Sequence, residues 1–417
     1  MTLQAAVTTV ELVEREAIAA RKALASLEDE RIGAGLRRAA DLLAGRAAEV
    51  LAANAEDISA ATGLDDGALD RLRLDERRFA AIGDGLRATS ALEPIAREVG
   101  SWQLANGLRV AERRIPVGVI GANFEARPGV AADIAAQVLK SGNAVVLRTG
   151  AAALRTVTLL VDDVLRPALA EAGVDPAAVG LVRTPAREGA EALVSLPRAI
   201  PLVILRGSGA STAALATRAA AMGVRTLAHA EGGAVLYAHA AASPARLERI
   251  VRASLDRLGV CNRLNLALVD RDAPVLAALV ETTCETVGVE VRGTAANPLD
   301  RPLGHEWAAE PGRVATVTLA LVEGVDDALA LANEQTSGLA AAIVTEDEDA
   351  ARRFLDGYRG TTAYWNATTR FTDGFALLGA PETGINVDRF PGPRGPVSYR
   401  DLWLRQYRVI GDGSETR

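Results

Sequence analysis

Apolar positions recur along this chain with two different periods, and the changes from one period to the other outline its architecture. Residues 1 to about 95 read as helices rich in Ala, Arg, Glu and Leu, with Leu36, Ala39, Ala40 and Leu43 forming one of several apolar stripes. A helical N-terminal layer is expected. In SWQLANGLRVAERR, alternating residues flank Asn106-Gly107, the dipeptide best suited to the positive-φ positions of a tight hairpin. This predicts a two-stranded arm over about 100–114. From Pro116 the pattern becomes strand and helix in alternation: VGVIGA, a helix from Val130 to Lys140, NAVVLR, a helix over about 152–171, GLVRT, a further helix, PLVILRG, a helix starting near Ser211, and RTLAHA. Apolar strand runs separated by amphipathic helices imply a parallel, doubly wound α/β sheet with ligands at the carboxyl ends of its strands. A second α/β unit starts near 232 and continues through VATVTLALV, AAIVT and TAYWN. The expected division is 1–231, 232–366 and 367–417: two α/β domains with a cleft between them, then an extended tail that pairs with the arm or with another subunit.

The stretch LDRLGVCNRLNLALVD, residues 255–270, joins the two periods. Leu247, Ile250, Val251, Ser254, Leu255 and Leu258 have helical spacing, and Gly259 supplies a left-handed helix stop. Leu264, Leu266 and Leu268 then alternate as a strand with one strongly buried face. Cys261 lies on the hinge, where a side chain is aimed into a cleft more readily than into a core. Two readings stay open from these residues alone: a buried structural thiol, and a nucleophile. A helix C-terminus does not favour a thiolate, so a nucleophile needs the N–H groups of Asn262 and Arg263, the Arg263 charge, or residues remote in sequence. Cys284, spaced helically with Val280 and Val287, reads as packing.

Composition narrows the function classes. The chain has 417 residues, 49% hydrophobic and 24% charged, which describes an ordinary globular protein of two or three domains. A net charge of −7 and only 4% aromatic residues, without a basic patch, exclude a nucleic-acid binder. Two cysteines give no disulfide framework, so a reducing compartment is implied. The first residues read as no signal peptide, and no apolar run approaches bilayer-spanning length; the expected address is the cytoplasm, with no membrane partner. His229, His239 and His305 lack metal-ligand spacing, so no metal site is expected.

Two segments suggest phosphate contacts, each with a plain tight turn as its alternative. RGSGAS (206–211) follows a strand and opens a helix. KSGNAVVLRTG places Lys140, Gly142, Asn143 and Arg148 near strand ends. Together with the rest of PVGVIGANFEARPGVAADIAAQVLKSGNAVVLRTG, with VCNRLNLALVD, IVTEDEDAARRF and NATTRFTDGF, and with LAANAEDISAA and LDRLRLDERRFAAIGDGLR nearer the N-terminus, these segments resemble the γ-glutamyl phosphate reductases (glutamate-5-semialdehyde dehydrogenases) of the aldehyde dehydrogenase superfamily. The likeness runs nearly end to end.

That resemblance implies an aldehyde dehydrogenase-like fold with an oligomerisation arm, and NADPH-dependent reduction of an acyl phosphate, with Cys261 as nucleophile. It implies Arg127 at the oxyanion or the leaving phosphate. It further implies Lys140, Gly142, Asn143, Arg148, Arg206, Gly207, Gly209 and Glu310, three residues after Trp307, at NADP(H), and Asn262, Asn366, Thr368 and Arg370 at the substrate. Glu231 is a poor match to the superfamily's general base, which acyl-phosphate reduction does not need. A homodimer or homotetramer and an upstream acyl kinase are the implied partners.

The chain departs from the family pattern at Ala151-Ala152, at the loop containing Ala234, at Asn265-Leu266, at Gly338 to Ala341, at LLGAPE and at FPGPRGP. These changes are expected at the substrate end, where Leu266 and Leu339 would suit a less polar acyl group. Three readings follow: an acyl-phosphate reductase of the proline-type or a paralogue with another acyl group, an aldehyde- or acyl-thioester-linked dehydrogenase, and a non-catalytic partner subunit.

Overall fold

The computed structural model describes residues 8–64, 66–207, 209–229, 232–256, 260–293, 315–387 and 392–413. Five helices, beginning with Thr9–Ala23 and ending with Glu76–Ser90, form the N-terminal layer. Within it Asp29–Gly45 packs on Glu76–Ser90, and Thr9–Ala23 lies against the first large sheet. The arm follows as two antiparallel strands, β1 (Glu98–Gln103) and β2 (Arg109–Pro116), with Gln103 opposite Arg109 across the Asn106-Gly107 turn.

The first large sheet comprises β3 (Val119–Phe124), β4 (Ala144–Thr149), β5 (Val179–Leu181), β6 (Leu202–Arg206) and β7 (Arg225–His229), all parallel in the order β5-β4-β3-β6-β7. Every residue of β3 and β4 is buried because helices cover both faces, the geometry that the unbroken apolar runs require. The helix expected over 152–171 contains one π-helical stretch, Leu160–Leu165, just before Pro167. Proline has no N–H for the next i→i−4 bond, and the wider turn absorbs the defect.

The second sheet comprises β8 (Ala234–Ala238), β9 (Leu264–Asp270), β10 (Glu290–Arg292), β11 (Thr316–Val322), β12 (Ala340–Val344) and β13 (Thr362–Trp365), parallel throughout in the order β10-β11-β9-β8-β12-β13. Here β9 is buried at all seven positions, on both faces, not on one face as its alternation suggested. It is a central strand with helices on either side, so its Asn265 and Ala267 face protein as its leucines do. The helix before it, Pro244–Ser254, ends at Ser254 and not at Gly259, which lies outside the described residues.

After β13 the chain returns through residues 366–383 into a short antiparallel pair, β14 (Gly384–Asn386) and β15 (Gly395–Val397), that packs against β7. The final strand, β16 (Trp403–Ile410), joins β2 and completes a three-stranded arm ordered β1-β2-β16. Asn143 fastens this tail by donating to the Leu402 carbonyl at 2.8 Å, and the Gln137 side-chain oxygen accepts the Tyr399 N–H at 2.8 Å. The tail therefore pairs with the arm of its own chain.

Candidate active site

The chain leaves β7 at the carboxyl edge of the first sheet, at His229, and enters β8 at the amino edge of the second, at Ala234. So short a link forces these two edges to face one another, since each residue spans at most about 3.6 Å. Cys261 lies in this junction, three residues before β9, part-exposed, whereas Cys284 is fully buried and burial pushes its thiol up to about 11. The nucleophile candidate thus sits at an amino edge, and the carboxyl-edge rule governs only the first sheet.

Cys261 is held by close backbone contacts. The Gly233 N–H donates to the Cys261 carbonyl at 2.9 Å, and a Cβ on Gly232 would stand 2.9 Å from the Cys261 Cα. Ser337 Oγ in turn donates to the Gly232 carbonyl at 3.0 Å. Ala234, Leu339, Ala340, Ile385, Tyr364 and Val387 form the apolar cluster against which Cys261 packs. On its other side, Asn262 Nδ2 donates to the carbonyls of Arg370 and Thr372 at 3.1 and 2.9 Å, its own carbonyl accepts the Thr369 hydroxyl at 3.0 Å, and its side-chain oxygen accepts from Arg370. Arg370 Nε also pairs with Asp256 at 2.6 Å, and Thr368 Oγ1 lies 2.8 Å from Ser254 Oγ.

Asn262, Thr368 and Arg370 are therefore brought together beside Cys261, but as a brace. Their polar groups bond to protein in this arrangement. Asn366 makes a different set of bonds. It follows the carboxyl end of β13 and exchanges hydrogen bonds with the backbone of Thr345, at the far edge of the sheet from Cys261. A residue that directly follows a parallel strand stands at the opposite edge from one that directly precedes it, although a longer segment can turn back across the sheet, as 368–372 does toward Asn262.

The same rule separates the cofactor candidates. Arg148, Arg206, Gly207 and Gly209 lie at the carboxyl edge of the first sheet, Gly209 as the first residue of the helix Gly209–Met222. Lys140, Gly142 and Asn143 precede β4 and lie at its amino edge, about 20 Å away at some 3.3 Å per residue. Lys140 is buried and pairs with Asp29 at 2.9 Å, Gly142 turns at φ 79°, and the Asn143 side-chain oxygen accepts the Gly118 N–H at 2.8 Å. These three residues stabilise the fold and do not reach a ligand at the carboxyl edge. Arg148 is buried at the correct edge and donates to Asn123 Oδ1 at 3.1 Å and to the carbonyls of Pro185 and Ala186 at 3.0 Å. Burial pulls its guanidinium below the usual range, with Glu125 opposing. Glu310, Trp307 and Glu231 lie outside the described residues.

Two of the departures also move. Ala151-Ala152 follows β4 at the carboxyl edge of the first sheet, and Leu266 is buried in the core of the second, between Val235 and Leu268 and their neighbours. Neither lies at the substrate end. Leu339 does border Cys261.

Sequence reasoning singled out Arg127 and Arg206 but missed two acids near them, Asp133 and Glu382. Ala126 adopts φ 42°, unusual for a residue with a Cβ, and presents Arg127 next to it. Burial raises the Asp133 carboxyl to about 6, with Arg206 opposing and Glu382 adding to the rise. Burial likewise raises Glu382, against the attraction of Arg206 and Arg127. The available signal was Asp133 itself, the one acid in the helix Gly129–Lys140.

Known proteins resemble this chain in sequence and fold. The γ-glutamyl phosphate reductase of Sphingopyxis alaskensis is 38% identical over 84% of this chain and 82% of its own length, and that of Clavibacter michiganensis is 36% identical over 95% and 88%. The chain belongs to the γ-glutamyl phosphate reductase family. The aldehyde dehydrogenase family model matches residues 313–398. The crystal structure of γ-glutamyl phosphate reductase from Thermotoga maritima superposes with a TM-score of 0.87 at 27% identity, covering 97% of this chain and all of that one. An acetylating aldehyde dehydrogenase from Geobacillus thermoglucosidasius, at 15% identity and a TM-score of 0.71, shares the fold. This member of the γ-glutamyl phosphate reductase family has, among its described residues, no helix long and apolar enough to cross a membrane and no group of three or more metal-ligating side chains.

Proposed function

We propose that this chain reduces L-glutamyl 5-phosphate to glutamate 5-semialdehyde, a step of proline biosynthesis, with Cys261 as nucleophile and NADPH as hydride donor. The observation that carries the reading is the position of Cys261: part-exposed, backbone-anchored, and facing a dinucleotide-type strand edge in a chain 38% identical to a γ-glutamyl phosphate reductase. The Cys261 thiolate attacks the acyl carbon, the bond from that carbon to the phosphate oxygen breaks, and phosphate departs with its electron pair, leaving a thioester. Bound NADPH supplies a hydride to the thioester carbon. The C–S bond then breaks, aldehyde leaves, and Cys261 recovers its thiolate. Arg127 would face the departing phosphate or the oxyanion, the role that the family resemblance implies. The brace of Asn262, Thr369 and Arg370 fixes the nucleophile, and no hydrolytic water takes part.

The carboxyl edge of the first sheet fits a nicotinamide dinucleotide. The Gly209–Met222 helix begins there, and Thr149 Oγ1 and Arg148 Nε are buried without a hydrogen-bond partner among the described residues. An engineered glycolyl-CoA reductase of the same fold, 16% identical with a TM-score of 0.68, is a structure with bound NADP+. Functionally, 1–231 is the nucleotide-binding domain, 232–366 the catalytic domain, and 367–417 the return segment and tail. The arm exposes Trp102, Leu404, Tyr407 and Val409 by about half each, a surface suited to a second copy of the chain, in a dimer or tetramer. The substrate would come from a kinase acting on a carboxylate.

The apolar cluster around Cys261 favours one second reading, a paralogue acting on a less polar acyl phosphate. The deciding experiment runs the reaction backwards: glutamate 5-semialdehyde, phosphate and NADP with the pure protein, NADPH absorbance as the readout, and Cys261→Ala alongside. Phosphate-dependent reduction of NADP that vanishes in Cys261→Ala supports the proposal. No turnover by a folded, NADP-binding sample, with turnover of less polar aldehydes, moves the assignment to the second reading.

A further inference from the structure

Arg206 ends β6 at the point where the family resemblance places a nucleotide-binding arginine, yet its surroundings are acidic. Three carboxylates approach it from three different elements. Asp133 comes from the helix Gly129–Lys140, Glu382 comes from the return segment, and Glu125 lies over the adjacent Gly207, whose added Cβ would stand 3.0 Å from the Glu125 carboxyl carbon. On the return segment, Gly384 lies directly against the Arg206 side chain: a Cβ there would meet its Cγ, Cδ and Nε at 3.6 to 3.7 Å. Acids around a guanidinium weaken its pull on a phosphate, and a phosphate dianion brought beside Arg206 would meet Asp133 and Glu382, whose carboxyls burial already raises.

Glu382 makes the second connection. Its Oε2 accepts the backbone N–H of Gly374, and Asp373 stands beside it. The loop over 369–374 is thus pinned at both ends, by Asn262 to Thr372 on the Cys261 side and by Glu382 to Gly374 on the other. Beyond Glu382 the chain runs at once into Ile385 and Val387, which pack in the cluster containing Cys261. The packing of the Arg206 side chain on Gly384 therefore ties the first sheet to the segment that covers the nucleophile.

We infer that Arg206 and Glu382 are positioning residues that seat the return segment on Cys261 across the cleft, and that Arg206 is not a ligand of the nucleotide phosphates. The inference extends the proposed function by giving this arginine a role on the substrate side. Arg127 also attracts Glu382 from the loop after β3.

The test compares Arg206→Lys, Arg206→Met and Glu382→Gln with the unaltered protein in two measurements that do not depend on the identity of the acyl group. One is NADP affinity by fluorescence titration; the other is the rate at which iodoacetamide alkylates Cys261, followed by mass. The expected result is NADP affinity within about twofold of the unaltered protein in all three. Alkylation rises severalfold in Arg206→Met and Glu382→Gln as the return segment loosens, and Arg206→Lys recovers most of the protection. With a substrate that turns over, kcat should fall at least tenfold in Glu382→Gln while KM for NADP holds. NADP affinity weakened tenfold or more in either Arg206 variant overturns the inference, as does an unchanged alkylation rate in Glu382→Gln. Should Arg206→Met not fold, the other two variants decide the matter alone. Failure of the proposed reaction would show separately, as an inactive unaltered protein whose alkylation and NADP binding still respond as described.

Discussion

Replacing Gly232 by alanine adds one methyl group at the most crowded point of the site. Its Cβ would stand 2.9 Å from the Cys261 Cα, 3.1 Å from its carbonyl oxygen and 3.2 Å from its Cβ. Carbon atoms in ordinary contact lie at about 3.5–4.0 Å, so the two segments must separate by roughly 0.6–1 Å. No flexible side chain can yield, because the crowded atoms belong to backbone held by the Gly233 N–H to Cys261 carbonyl bond and by Ser337 on Gly232. Overpacking of this kind costs about 1–3 kcal/mol. The larger effect falls on the reaction: a displacement of some 1 Å in a reacting group lowers a rate by about 10²-fold. The assay is the reverse reaction with NADP and phosphate, paired with NADP titration and Cys261 alkylation. Gly45→Ala serves as control, since nothing lies within 4 Å of its added Cβ. The expectation is a loss of about 10²-fold in kcat with NADP affinity unchanged. A Gly232→Ala protein with kcat within threefold of the unaltered one and the same alkylation rate would refute the reasoning.

Two other perturbations follow from the same geometry. The Asp133 carboxyl is raised from 3.8 to about 6, so its contribution to stability is complete below about pH 4 and is lost as pH rises through 6. Asp133→Asn cannot ionise and should avoid a cost of about 3 kcal/mol at pH 7.5, raising the melting temperature by about 3–6 °C there and by almost nothing at pH 4; an equal gain at both pH values would show the burial argument to be mistaken. Asn143→Ala removes the bonds to Gly118, Ser141 and Leu402 and should destabilise the fold by about 2–4 kcal/mol while leaving NADP affinity intact. A denaturant melt with NADP titration checks this, and weakened NADP binding in a folded sample would return Asn143 to the nucleotide site.

The local order of this protein was largely legible in its sequence. Asn106-Gly107 marked the arm because only certain residues tolerate its turn, the unbroken apolar runs of β3 and β4 marked a doubly covered parallel sheet, and Cys261 marked itself by standing between two periods. These are nearest-neighbour properties, set by backbone sterics and by which face of an element must be buried. What the sequence could not decide was the end of a strand at which a residue would stand. Lys140 and Arg148 are eight positions apart in one phosphate-like segment, yet Lys140 precedes β4 and Arg148 stands near its far end, so most of the strand separates them. Asn366 and Thr368 belong to one short motif, yet the first lies at the far edge while the second, with Arg370, braces the nucleophile. Nor could it gather Asp133 and Glu382, drawn from a helix and the return segment, around the guanidinium of Arg206 at a strand end. Strand direction and the meeting of the two sheet edges are consequences of how the whole chain closes on itself, and that closure turns a set of polar residues into a site on one side of the sheet and into struts on the other.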